Sequence, residues 1–259
     1  DKWGGNALIR AAEEGHSDIT RALLADQRVD PNHEHVWGNT ALIEAVREGH
    51  SDIACALLSD ERVNPNHACE EGYTAFIMAT IHGHIDIIRA LHADERVNPN
   101  HPTRYGDTAL TRATRNGDID IVRALLADER VDPNRTNVGG NTALIGAVYE
   151  SHGDIVRALL ADERFDRSYE DQVKKGMMTA AERENGEVLG LLLKSTGQRL
   201  SDDEIDNLAD SDRGFYKRIL ARLLWRARFR GIVRLMIYFR RMRLRAAEAV
   251  YAPGGTGFD

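Results

Sequence analysis

The chain has 259 residues, 42% of them apolar, and sets 34 Lys and Arg against 41 Asp and Glu for a formal net charge of −7. That apolar content is enough for a packed core and excludes a disordered or collagen-like chain. Two cysteines, Cys55 and Cys69, form no CxxC pair, which excludes a disulfide-stapled scaffold and favours a reducing, intracellular setting, cytoplasmic by expectation.

Taken from the start, the elements recur. Ala7, Ala41, Ala75, Ala109 and Ala143 stand 34 residues apart, as do Gly4, Gly38, Gly72, Gly106 and Gly140. The same interval separates Asp18, Asp52, Asp86, Asp120 and Asp154, each followed by Ile. We number the units 1 to 5 by those alanines. A period of this length marks a repeat array. In unit 2, Ala41, Leu42, Ala45 and Val46 lie on one stripe of a short helix, with Asn39 and Thr40 at its start as capping residues and Gly49 at its end. Ser51 and Asp52 open a second helix, which turns Ile53, Ala56 and Leu57 inward. "SDERVNPNH" then leaves the helix, and the Asn, Gly and Pro content up to Gly72 predicts an extended loop or tight hairpin. Two helices this short cannot enclose a core alone, so each unit must bury its Ala, Leu, Ile and Val columns against the next.

The sequence "NTALIEAVREGHSDIACALL" and its siblings resemble the ankyrin repeat, over about residues 3–194. The resemblance implies an all-α right-handed solenoid of helix-turn-helix units whose fingertips and inner helices form a concave protein-binding face. Two departures stand out. The helix-opening Pro and His are replaced by Ala and by Ile or Thr, and the usual turn is replaced by "ADERVDPN" forms, which removes the His that would brace it. Carried onto this sequence, the fingertip positions are Trp3, Trp37, Glu71, Tyr105 and Gly139. The variable inner-helix positions include Arg10, Glu14, Glu44, Arg47, Met78, Ile81, His82, Arg112, Arg115 and Tyr149. Large aromatics at Trp3, Trp37 and Tyr105 are the expected hot spots for a partner, with coverage of the end of the array as the alternative role for Trp3 and Trp37.

Unit 5 drifts at "FDRSYEDQ", and Ser151 replaces its helix-ending Gly. Residues 171–194 resemble a shortened sixth unit, the degeneracy expected of a capping repeat, which closes a first domain at 1–194. An acidic linker follows at 195–212, where Ser201 and Glu204 have capping-box spacing for a short helix.

From Arg213 to Arg245 the chain carries twelve basic and no acidic residues, leaving 22 basic against 41 acidic, or −19, elsewhere. Arg218, Arg222, Arg226, Arg230 and Arg234 fall at i, i+4 steps beside an apolar stripe that includes Leu220 and Leu223, the pattern of an amphipathic helix. Gly231 marks a bend, and a second basic helix follows with Arg240, Arg241 and Arg245, so that 213–251 reads as two basic helices and 252–259 as a tail. Like charges at that spacing repel by about 0.2–0.5 kcal/mol per pair, so the segment needs an anionic partner. Its own acidic array, which it would cap, and an acidic partner protein fit first. Calmodulin is one acidic partner, since Trp225, Phe229, Ile232 and Tyr238 have anchor spacing. Anionic lipid and nucleic acid follow as alternatives. The longest uncharged apolar run of the segment, Leu235–Phe239, is far short of the roughly 20 residues a bilayer span needs.

Chemistry is sparse. His33, His67 and His101 form one 34-residue column and His16, His50 and His84 another, but equivalent positions on neighbouring layers lie roughly 8–10 Å apart, too far to share a metal. No glycine-rich phosphate loop, GxSxG or HExxH occurs. The expectation is a non-catalytic scaffold or adaptor without cofactor or metal. Because the sequence starts within a repeat, it also reads as a piece of a longer chain.

Overall fold

A computed structural model of the chain describes residues 4–165, 170–183 and 185–195. These form twelve helices and, among the described residues, no strand beyond one isolated bridge between Ala68 and Thr74. Units 1 to 5 contribute the pairs α1 (Ala7–Glu13) and α2 (Ser17–Ala25), α3 (Ala41–Glu48) and α4 (Ser51–Leu58), α5 (Ala75–His82) and α6 (Ile85–Ala93), α7 (Ala109–Asn116) and α8 (Ile119–Leu126), and α9 (Ala143–Tyr149) and α10 (Gly153–Ala161). A further pair, α11 (Glu170–Glu182) and α12 (Gly186–Ser195), packs on α9 and α10. The odd-numbered helices make one row and the even-numbered helices a second. The architecture is an all-α repeat solenoid. The acidic segment expected at 195–212 lies outside the described residues but for Ser195, and the basic helices expected at 213–251 and the tail at 252–259 lie wholly outside them.

The helices begin and end where the local chemistry dictates. The backbone N–H of Ile43 donates to the Thr40 hydroxyl and that of Ile77 to Thr74, while Thr108 and Thr111 cap each other's backbone reciprocally. At the far end Gly49 sits at φ 79°, and a Cβ placed there would come within 2.7 Å of the His84 ring of the next unit, so backbone and packing both require glycine. The corresponding residue of unit 5, Ser151, takes φ 67° with a side chain, a conformation that costs about 1–2 kcal/mol outside glycine.

The core is a set of columns along the array. Ala41, Leu42, Ile53 and Leu57 recur as Ala75, Phe76, Ile87 and Leu91 and again as Ala109, Leu110, Ile121 and Leu125, all buried. Alanine at the head of each odd helix leaves room for the neighbouring unit's helix, and burial of each Leu or Ile contributes about 1.5–3 kcal/mol.

The "ADERVDPN" departure has a physical explanation: it is an interunit clamp. Arg62 is held by Asp60, with Nε to Oδ1 at 3.0 Å and Nη2 to Oδ2 at 2.6 Å, and donates to the carbonyls of Leu24 at 2.7 Å and Val29 at 3.1 Å in unit 1. Arg96 repeats this on Leu58 and Val63, Arg130 on His92 and Val97, and Arg164 on Leu126 and Val131. The first acceptor of each pair lies at the C-terminal end of an outer helix, where carbonyls lack intrahelical partners and a cation is favoured. Beside it runs an asparagine ladder. Asn66 Nδ2 donates to the Arg96 carbonyl at 2.6 Å and its Oδ1 accepts the Asn98 N–H at 2.6 Å, and Asn32 and Asn100 do the same one unit away on either side.

The histidine columns serve the same end. His50 donates to the Glu13 carbonyl at 3.1 Å, His67 to that of Gly38 at 3.0 Å and His152 to that of Arg115 at 3.3 Å. Among the described residues no group of three or more His, Cys, Asp or Glu side chains could hold a metal ion, and no helix is long and apolar enough to cross a membrane.

The clamp carboxylates Asp60, Asp94 and Asp162 are held below the ordinary aspartate range, chiefly by the hydrogen bonds from Arg62, Arg96 and Arg164. A folded-state value below the unfolded one gives stability that is present above the unfolded value and is lost as pH falls through the folded one. Urea unfolding midpoints are therefore expected to be steady near neutrality and to drop as the pH is taken below about 4, the unfolded Asp value.

Candidate protein-binding face

Each finger is a short hairpin closed by backbone bonds. The N–H of Cys69 donates to the Tyr73 carbonyl at 3.1 Å and that of Gly72 to Cys69 at 2.7 Å, with equivalents at Thr103/Asp107 and Asn137/Asn141. Successive fingers are tied edge to edge: Glu70 N–H to the Trp37 carbonyl at 3.4 Å, Arg104 to Glu71 at 3.1 Å, and Val138 to Tyr105 at 3.0 Å. The tips thus keep the pitch of the array.

Finger bases and odd helices form one surface, because side chains join them. Asn39 Nδ2 donates to Glu44 Oε1 at 2.8 Å, the Arg112 guanidinium donates to the Tyr73 hydroxyl and lies over its ring at 5.4 Å, and Arg115 reaches Asp107 at 3.3 Å. Asp107, buried, also accepts from Asn137 of the next finger at 3.0 Å.

The expected site residues fall into distinct environments on this surface. Trp37 and Tyr105 are each 55% exposed on hairpins two units apart, the indole edge-on to His35 with centroids 5.2 Å apart. Trp3 lies outside the described residues. Met78 and Ile81 are half-buried at the centre of the row, packed against the core, with His82 exposed and its ring stacked on His84. Arg10 pairs with Glu13 and Glu14 at 2.6 and 2.9 Å, and Arg47 with Glu44 at 2.7 Å and Glu48 at 2.9 Å. Tyr149 is exposed and carries the Arg183 guanidinium over its ring at 4.1 Å.

Glu44 differs from the expectation of a contact residue. It is 1% exposed, and its carboxylate is enclosed by His35 at 2.8 Å, Asn39 and Arg47. Its position on α3 turns it toward the finger rather than outward, so it fixes the finger base and orients Arg47. The basic residues Arg218, Arg222, Trp225, Arg226, Phe229, Arg230, Arg234, Arg240, Arg241 and Arg245 lie outside the described residues.

Two exposed residues escaped the sequence reading. Val36 and Val138, 51% and 79% exposed, flank the fingertip column by one position. The column was taken through Trp37 and Gly139, and the alternation of side chains in an extended finger hides which neighbour points outward. The column Asn39, Tyr73, Asp107 at the finger base was missed because its residue type changes in each unit.

These stacked helix pairs with hairpin fingers define a class, the helix-turn-helix repeat solenoid. Models of ankyrin repeats match residues 1–68 and 57–137 as three-copy sets and 119–160 as a many-copy set. The chain belongs to the ankyrin-repeat family. Such repeats generally mediate protein–protein interaction and are typically non-catalytic. No curated protein matches the chain.

Replacing Glu44 by Ala leaves His35 and Arg47 without their buried acceptor, and is expected to lower the unfolding free energy by about 3 kcal/mol in urea titrations.

Proposed function

We propose that the chain is a non-catalytic adaptor that holds a protein partner across the surface made by its fingertips and odd-numbered helices. The observation that carries this reading is the distribution of exposed large apolar side chains. Among the described residues these are Ile19, Val36, Trp37, Tyr105, Val138 and Tyr149, and all but Ile19 stand on that surface. Half-buried Met78 and Ile81 lie in its centre, with ionic clusters to either side. An apolar middle within a charged rim is the anatomy of a protein interface. The residues proposed to touch the partner are Trp37, Tyr105, Arg10, Glu14, Arg47, Met78, Ile81, His82, Arg112, Arg115 and Tyr149, with Glu44 holding the scaffold beneath them and Trp3 extending the fingertip column. The Arg-rich segment 213–251, at +12 between Arg213 and Arg245, caps the acidic array or docks it on an acidic partner or assembly.

A second reading rests on that charge alone: the basic segment attaches the protein to anionic lipid or nucleic acid and the array is a spacer. Two full-length variants separate the readings by co-purification from extract with nuclease present. Trp37→Ala with Tyr105→Ala is expected to weaken capture of the protein partners at least about 30-fold, as for two interface anchors. Replacing Arg218, Arg222, Arg226 and Arg230 by Glu is expected to leave those partners bound. The reverse pattern would establish the basic segment as the docking device.

A further inference from the structure

The first unit presents an edge built as an interior one. Ile19 of α2 is 51% exposed, whereas its counterparts Ile53, Ile87, Ile121 and Ile155 are all 0–2% exposed. Ala7 is exposed and Leu23 and Val29 are half-buried, while Ala41, Leu57 and Val63, one unit on, are covered by unit 1. An end that faces water is ordinarily given polar residues at these positions. Here they keep the interior types.

The polar connectors are kept as well. Arg28 is gripped by Asp26, with Nη2 to Oδ2 at 2.7 Å and Nε to Oδ1 at 3.0 Å, in the same geometry as Arg62 on Asp60. Its side chain is 91% exposed, and among the described residues no carbonyl stands where Leu24 and Val29 receive Arg62. His16, the counterpart of His50 and His152, is likewise exposed on this edge.

We propose that this edge is a docking surface for one further ankyrin-type unit, stacked ahead of unit 1 in the sense in which unit 1 stacks on unit 2. The occupant is defined by the four interunit contacts already in the array: it buries Ala7, Ile19, Leu23 and Val29 under its own helix pair and offers Arg28 two carbonyls, one at the end of its outer helix and one in the turn beyond. This inference is independent of the partner face.

The test places a copy of residues 1–34 in register ahead of the full chain, which brings the copied Leu24 and Val29 carbonyls to Arg28. Five proteins are compared by thermal unfolding and amide exchange: the full chain, its Arg28→Ala and Arg62→Ala variants, and the extended chain with and without Arg28→Ala. In the unextended chain Arg28→Ala is expected to leave the midpoint within about 1 °C, and Arg62→Ala to lower it by about 4 °C or more. The extension is expected to raise the midpoint, to protect the α2 amides and to make Arg28→Ala as damaging as Arg62→Ala. An added unit that stays unprotected, or an Arg28→Ala variant still neutral in the extended chain, would overturn the proposal. So would self-association of the unextended chain in sedimentation equilibrium that Ile19→Asp abolishes, because the edge would then belong to a second copy.

Discussion

Arg62, Arg96, Arg130 and Arg164 each bind a carboxylate of their own turn and at least two carbonyl oxygens of the unit before. The apolar columns supply most of the attraction between units, but attraction proportional to buried area has no direction and leaves neighbouring layers free to slide. The guanidinium adds direction. Its planar fork holds donors at fixed angles, which a lysine ammonium on a flexible stem would not do, and Asp60 or Asp94 pins the fork before the neighbour arrives. The asparagine ladder and the His50, His67 and His152 contacts repeat the link at other heights of the unit, so successive units are joined by directional bonds at the turns, at the outer-helix starts and at the fingers.

That register is what gives the partner face its form. The fingers touch their neighbours through a few bonds each, such as Val138 N–H to the Tyr105 carbonyl and Asn137 to Asp107, too few by themselves to set a pitch. Held by the clamps, they present Val36 and Trp37 on one finger, Tyr105 two fingers on and Val138 on the finger after that. Side chains presented on a rigid frame lose little freedom on binding, and more of the contact energy then appears as affinity. The polar groups beneath are committed to the frame: Glu44 to His35 and Arg47, Asp107 to Arg115 and Asn137. Variation from unit to unit at the exposed positions, such as Trp37 and Tyr105, changes the chemistry displayed without changing the scaffold.

The repeat, the helix pair and the capping residues were legible because each is written in residue type at a fixed interval. Thr40 and Gly49 act as their types and positions indicate, whereas Asn39, expected beside Thr40 as a cap, turns its side chain to Glu44 instead. Trp37 and Tyr105 were legible as exposed fingertips for the same reason, through a large apolar residue in a polar turn. The clamp was visible as a recurring "DER" yet was read only as a departure, since sequence shows that Asp and Arg recur but not that the guanidinium crosses to the preceding unit. Glu44 was misplaced because a glutamate on a variable helix position looks solvent-facing. Its burial depends on His35 and Asn39 folding back from the finger, contacts between segments that no local pattern records.

Amide hydrogen exchange on the full chain with Arg96→Ala tests most directly whether the clamp sets the register between units. The account predicts lost protection across the unit boundary, at Ser59, Asp60 and Val63 around the end of α4 as well as at Asp94 and Val97 in the turn that carries the arginine. Loss confined to residues 94–98, with the end of α4 as protected as in the unsubstituted chain, would contradict it and leave apolar packing alone to hold the layers in place.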